Sequence, residues 1–382
     1  MTYNNTALTS PGMYNHNVGT QMETSPPRVA ESGGLFNLTA ESLLALLASL
    51  DQPPYRARQV LDWVYRHETE RFEQMTNLPQ SLRAQLTDQL PIYESQIAQR
   101  QESHDDTVKL LLRWPDEATS ECVLIPDADR RTACISTQVG CPVGCVFCAS
   151  GLNGLQRQLS AGQIVEQAMR IRQLCDDGAR LSNIVFMGLG EPLANYAATM
   201  QAVRTINADW GLGIGARKIT ISTVGLPTQM KRLADEGMQV TLALSLHAPN
   251  DELRKQIIPW AERVTIESLV QAANYYFEKT GREITLEYIL IGSLNDTTAN
   301  ARELAAVAKQ MRSNVNLIAY NPVEGLPYRR PNSENVQRFV LTLRERGVNA
   351  HVRRSRGLDI DAACGQLRRR ELAPSPLAKE PL

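Results

Sequence analysis

The chain has 382 residues, 43% hydrophobic and 21% charged, with a formal net charge of −1. This is the composition of a globular protein long enough for two or three domains, and it excludes recognition of a polyanion by bulk charge, so any basic surface has to be local. No apolar run has the length of a membrane span, no secretory h-region is visible, and seven cysteines, odd in number and sparse, make no disulfide framework; a cytoplasmic, reducing setting with free thiols and no membrane partner is expected.

Residues 1–34 are rich in Asn, Thr, Ser, Pro and Gly and poor in large apolar groups, which predicts a disordered arm. A helical accessory domain is expected over 35–92. Thr39 and Ser42 offer capping oxygens ahead of a stripe of Leu43, Leu44, Leu46, Leu47 and Leu50, and Pro53 and Pro54 end that helix. A second helix turns Val60, Leu61, Val64 and Tyr65 inward, and a third, over 79–90, turns Leu82 and Leu86. Arg56 and Arg58 at the start of the second helix suit either a solvated face or contacts to RNA. Residues 93–137 change period to strands over 108–114, 121–125 and 133–136, a β-rich extension leading into the core. Glu121 inside an apolar strand suits, on pattern alone, either an edge-strand charge facing water or a carboxylate with a functional role.

The next stretch concentrates chemistry: Cys141-Pro142-Val143-Gly144-Cys145-Val146-Phe147-Cys148. Its glycines and proline hold the backbone in a loop, and three thiolates on one loop suit a soft metal centre. A structural zinc site needs a fourth Cys or His at matching spacing, and none is nearby. A four-iron cluster held by three cysteines has one iron open to another ligand.

Beyond the loop, helices over 163–176, 196–208, 266–279, 297–311 and 334–347, with one more ending near Gly237, alternate with strands over 183–187, 218–222, 239–245, 284–290, 315–319 and 349–352. Such alternation gives an α/β fold with a parallel sheet and outer helices. About six units fall short of an eightfold barrel, so a partial (β/α)6 barrel over 138–353 is expected. Polar residues gather at its strand ends: Gly190 and Glu191, Ser222, the run Ser245-Leu246-His247, and Asn321. Singly these suit local turn bonds; together on one rim they read as a ligand cup, with Glu191 placed for an ammonium. Segment 354–382 carries Cys364 between small residues, either an incidental thiol or a mobile reactive one. Arg353, Arg354 and Arg356 before it and Arg368, Arg369 and Arg370 after it suit either phosphate contacts or a solvated tail. The chain beyond Glu371 is expected to be disordered, and Cys122 and Cys175 to be core residues.

Four segments closely resemble the RlmN family of radical S-adenosylmethionine (SAM) enzymes. They are Gln138-Val139-Gly140-Cys141 with its cysteine loop, Met187-Gly188-Leu189-Gly190-Glu191-Pro192, Ser245-Leu246-His247-Ala248-Pro249-Asn250-Asp251, and Asp359-Ile360-Asp361-Ala362-Ala363-Cys364-Gly365-Gln366-Leu367. The resemblance implies a radical-SAM core in which Cys141, Cys145 and Cys148 hold a [4Fe-4S] cluster and the open iron binds SAM. Gly190, Glu191, Ser222, Ser245, Leu246, His247 and Asn321 are the implied SAM contacts. The implied reaction is methylation of adenine C2 in 23S rRNA at the peptidyl-transferase centre and at adenosine 37 of tRNA. Two SAM molecules serve each turnover: one methylates Cys364, and the second provides the radical that activates this methyl group for addition to C2. Cys134 is the implied partner of Cys364 in a transient disulfide, Glu121 the implied proton acceptor, and an electron donor such as flavodoxin or ferredoxin the implied reductant. The sister Cfr family methylates C8 of the same ribosomal adenine, shares these cysteines and is the alternative.

Overall fold

The computed structural model describes residues 34–175 and 179–368. The expected N-terminal arm up to residue 33, Arg369, Arg370 and the segment beyond Glu371 lie outside the described residues.

The described chain opens with α1 (Ala40–Ser49), α2 (Tyr55–Tyr65) and α3 (Gln80–Gln89). The capping oxygens act reciprocally: Ser42 N donates to Thr39 Oγ1 at 3.2 Å, and Thr39 N donates to Ser42 Oγ at 2.7 Å. Leu43, Leu47, Val60, Val64, Leu82 and Leu86 are fully buried, each contributing about 1.5–3 kcal/mol of transfer free energy. They belong to the same apolar core as the central sheet, so these helices pack onto the sheet domain directly. Arg56 donates to Gln59 and to the Asn77 carbonyl, while Arg58 is exposed, 4.0 Å from Asp62.

An antiparallel ribbon follows: β1 (Gln96–Glu102), β2 (Val108–Arg113), β3 (Thr119–Asp127) and β4 (Arg130–Cys134). The sequence reading did not include β1, because this outer strand is polar and exposed and shows no alternation. Glu121 requires a correction. Strand β3 lies between β2 and β4, not at an edge, and Glu121 is buried, 3.3 Å from the Lys109 ammonium. Leu111 stands opposite Glu121 in register, so Lys109 on β2 is its diagonal neighbour on the same face.

A short hairpin, β5 (Gln138–Gly140) and β6 (Leu155–Gln158), brackets the cysteine loop. Then come α4 (Ala161–Arg172), β7 (Asn183–Phe186), α5 (Tyr196–Asn207), β8 (Ile219–Thr223), α6 (Pro227–Asp235), β9 (Thr241–Ser245), α7 (Asp251–Ile257), α8 (Ile266–Thr280), β10 (Ile284–Leu290), α9 (Thr298–Ala308), β11 (Ser313–Ala319), α10 (Ser333–Glu345) and β12 (Ala350–Arg353). The large sheet runs β1-β2-β3-β4-β7-β8-β9-β10-β11-β12, and every pairing from β4 onward is parallel. The result is a partial (β/α)6 barrel whose two edges, β1 and β12, do not pair.

Strand alternation divides the sheet. Ile184, Ile219, Ile221, Leu242, Leu244, Leu286, Val315 and Leu317 are fully buried in the core. The alternate residues, among them Cys134, Asn183, Thr220, Thr241, Thr285, Glu287 and Asn316, line an interior cavity of about 600 Å³. No helix of the described residues is long and apolar enough to cross a membrane.

Candidate active site

Strand β5 ends at Gly140, whose φ of +80° and whose packing both demand glycine, since a Cβ would stand 2.0 Å from the Gly154 carbonyl oxygen. Cys141 N donates to that same carbonyl at 3.1 Å, and Val146 N donates to Ile257 O at 3.1 Å, fixing the loop at both ends. The Cys141, Cys145 and Cys148 thiols line one cavity of about 160 Å³ together with Glu191, Ser222, Ser245 and His247. Burial pushes Cys141 up to about 12, and burial with the neighbouring thiols holds Cys145 well above its ordinary range; Cys148 is also raised by burial. These thiols therefore become thiolates together only beside added positive charge. Arg254 on α7, a buried guanidinium bonded to Val224 O at 2.5 Å and Leu246 O at 3.2 Å, supplies some of that charge beside Cys145.

The strand-end residues divide by role. Gly190 (φ +103°) packs against Gln138, and Glu191 accepts from Leu193 N at 3.0 Å and Val224 N at 2.7 Å. Burial raises the Glu191 carboxyl to about 7. The Ser222 and Ser245 hydroxyls lie 3.4 Å apart. His247 Nδ1 accepts from Ile289 N at 3.1 Å, so the neutral ring carries its proton on Nε2, and burial lowers its pKa to about 3. The Leu246 side chain is fully buried and outside the cavity walls, with its backbone N–H on Glu287 O. Asn321 does not line the smaller cavity; its Nδ2 donates to the Cys364 carbonyl at 3.1 Å and its Oδ1 accepts from Arg330 and Ser355.

Cys364 is half-buried and lines both cavities. Its loop is stitched to the cysteine loop: Ala149 N donates to Gly365 O at 2.8 Å and Ser150 Oγ to Leu367 O at 2.8 Å. Cys134, on β4, also lines the larger cavity, and burial followed by the nearby Cys364 pushes its thiol up to about 12. The lining of this cavity also includes Arg130, Arg353, Arg354 and Arg356. Glu121 lies outside both sets of lining residues, behind the Cys364 loop, where it accepts from Arg368 N at 2.8 Å.

Two family models match the chain. One, described as the ribosomal RNA large subunit methyltransferase N-terminal domain, covers residues 34–92, and the radical SAM superfamily covers residues 135–305. A Rhodopirellula baltica protein named "Probable dual-specificity RNA methyltransferase RlmN" is 45% identical over 92% of this chain and 94% of its own length. A protein of the same name from Thermosynechococcus vestitus is 45% identical over 88% of this chain and 99% of its own. The chain belongs to the RlmN family. Its fold agrees: the crystal structure of a radical SAM methyltransferase from Sphaerobacter thermophilus matches with a TM-score of 0.86 at 46% identity, covering 88% of this chain and 99% of that one.

Radical SAM membership implies a [4Fe-4S] cluster and SAM, and the donor set fits them. Three partly buried cysteines line one cavity, while among the described residues no group of three or more His, Cys, Asp or Glu is placed to hold a single metal ion. Three thiol donors on one loop suit the soft irons of such a cluster. Sequence reasoning missed Arg254, because α7 is short and begins in a turn-like Pro-Asn-Asp run. It also missed Glu287 and Asn316, whose signal was the polar alternation within β10 and β11.

Proposed function

We propose that this protein is an RNA methyltransferase that installs a methyl group on adenine C2, in 23S rRNA at the peptidyl-transferase centre and at adenosine 37 of tRNA, with Cys364 as the methyl carrier. The observation that carries this reading is the position of Cys364 at the junction of two cavities. One is walled by the three loop cysteines and the SAM-type polar residues, the other is lined in part by four arginines. When bound at Cys141, Cys145 and Cys148, the cluster with its SAM supplies the one-electron chemistry that a non-nucleophilic carbon such as C2 demands.

The remaining steps use this chain's own groups. Cys364 Sγ loses its proton on taking a methyl group from one of two SAM molecules used per turnover. Once that carbon is bonded to C2, the RNA is tethered to the protein. Release removes the C2 proton and requires Cys134 Sγ to attack Cys364 Sγ, forming an S–S bond as the carbon–sulfur bond breaks; the freed carbon keeps that electron pair and takes up a proton to complete the methyl group. A reduced carrier such as flavodoxin or ferredoxin supplies electrons. Cys134 as a buried thiol, not a thiolate, has to give up its own proton in this step. Glu121 is the proposed proton acceptor, which requires the Cys364 loop to shift, because Arg368 N and Lys109 engage its carboxylate in the resting arrangement. Glu191, Ser222, Ser245 and His247 are the proposed SAM contacts, and Gly190 and the Leu246 backbone shape their strand ends. Asn321 contributes by holding Cys364. A substrate on ribosomes and tRNA places the enzyme in the cytoplasm.

The test is anaerobic reconstitution with iron, sulfide, SAM and reductant on RNA lacking the modification, followed by mass spectrometry of the digested nucleosides. The reading expects 2-methyladenosine. 8-Methyladenosine would assign the Cfr reaction instead, and unmodified RNA beside a methylated Cys364 would overturn the proposed substrate.

A further inference from the structure

Glu287, on β10, lines both cavities, yet nothing in the steps above uses it. Its backbone is locked, since its carbonyl accepts from Leu246 N at 3.1 Å and His247 N at 3.3 Å. Register places Ser245 on one side and Asn316 on the other. Asn316 Nδ2 donates to Glu287 Oε1 at 3.1 Å. Oε2 has no hydrogen-bond partner, although the residue is only 4% exposed. A buried carboxylate oxygen left unbonded is costly. Burial raises the Glu287 carboxyl above its ordinary range, while the Arg353 charge across the same space and the Asn316 amide oppose that shift, and Oε2 is left unoccupied. In its ionised form this group accepts hydrogen bonds and makes none, so the ligand that satisfies Oε2 presents an N–H or O–H group.

We propose that Glu287 Oε2 reads the target base by accepting a hydrogen bond from the exocyclic amine of the adenine to be methylated. The proposal rests on the adenine reading above and adds the means of selection. A 6-amino purine presents a donor to Oε2. A 6-oxo purine presents a carbonyl oxygen there, and two acceptors face each other. Enzymes that act on an extruded base read its hydrogen-bonding edge in this way. The adenine of SAM carries the same amine, so the test separates the two sources.

The variant is Glu287→Gln in the reconstituted full-length enzyme. Asn316 retains the amide oxygen, and the new NH2 group takes the place of Oε2, replacing an acceptor by a donor of equal size. Two RNAs are compared, identical except that the target adenosine is inosine in one. The wild type should prefer adenosine by about 10- to 100-fold or more, and Glu287→Gln should reduce that ratio at least about tenfold. A merely structural loss would slow both RNAs alike and leave the ratio fixed. SAM binding, measured by equilibrium dialysis on the same preparations, should be unchanged. An unchanged ratio overturns the proposal, and an unchanged ratio with weakened SAM binding assigns the amine to SAM. If Glu287→Gln fails to hold iron, Glu287→Asp replaces it and should keep the adenosine preference at a reduced rate; loss of preference there contradicts the proposal. A wild type that methylates both RNAs equally overturns the role of Glu287 alone, whereas one that methylates neither overturns the adenine reading as well.

Discussion

The carboxylate of Glu121, in the middle of β3, accepts a hydrogen bond at 2.8 Å from the backbone N–H of Arg368, at the far end of the Cys364 loop. Lys109, its ion-pair partner at 3.3 Å, donates to Asp361 O at 3.1 Å, at the near end. One buried pair thus holds both ends of the loop that carries Cys364.

This pairing gives the first prediction. Glu121→Gln removes the charge partner of a buried ammonium and should destabilise the protein by about 3–5 kcal/mol. Adding Lys109→Met should restore stability to within about 1–2 kcal/mol of wild type, because an apolar replacement of similar volume removes the uncompensated charge. Denaturant unfolding measures both. If Glu121 also serves in RNA release, the double variant stays inactive despite its recovered stability; recovered activity would confine Glu121 to a structural role.

A second prediction concerns Asn321. Truncation to Ala deletes the hydrogen bond to the Cys364 carbonyl and leaves Arg330 and Ser355 without their shared acceptor. Amide exchange over residues 362–367 should accelerate severalfold, and Cys364 should alkylate faster. If Asn321 instead acts only on SAM, affinity for SAM falls while loop protection is unchanged.

How much of this was readable beforehand depended on whether a residue's environment is set locally. The Thr39 and Ser42 cap is local, and so is the alternation that gave strand β10 its limits. Glu121 was not readable because its partner lies on the neighbouring strand, and the diagonal Lys109–Glu121 contact exists only once the register is fixed. Helix α7 was missed because its buried face includes Arg254, a residue that apolar periodicity counts as surface. The cysteine loop and Cys364 stood out by motif. Their hydrogen-bonded attachment to each other, through Ala149 and Ser150, is a tertiary fact that no spacing encodes.

A third prediction separates cluster from carrier. Cys141→Ala, Cys145→Ala or Cys148→Ala should each abolish bound iron and labile sulfide after reconstitution, since three ligands are the minimum the loop provides. Cys364→Ala should retain iron and sulfide and lose methylation entirely. Iron loss in Cys364→Ala would show that its thiol supports the cluster instead.

The pKa of Cys134 gives a fourth. Its thiol is pushed from an ordinary value near 9 up to about 12, chiefly by burial. At neutral pH it therefore holds about a thousandth of the thiolate of an ordinary cysteine, and the fraction grows as pH rises toward 12. Alkylation of Cys134 in the resting enzyme, followed by peptide mass, should be far slower than that of a free thiol at pH 7 and should climb steadily with pH. A rate that is fast and level across pH 7–9 would mean a preformed thiolate.

The most direct test of the central claim, that Cys364 carries the methyl carbon to RNA and Cys134 releases it, is to purify Cys134→Ala from cells under denaturing conditions. The attack that breaks the carbon–sulfur bond is then missing, so the protein should carry covalently attached RNA, seen as a nuclease-sensitive mobility shift and a nucleotide adduct mapped to Cys364. Cys134→Ala recovered free of RNA from cells in which the wild type is active would contradict the account.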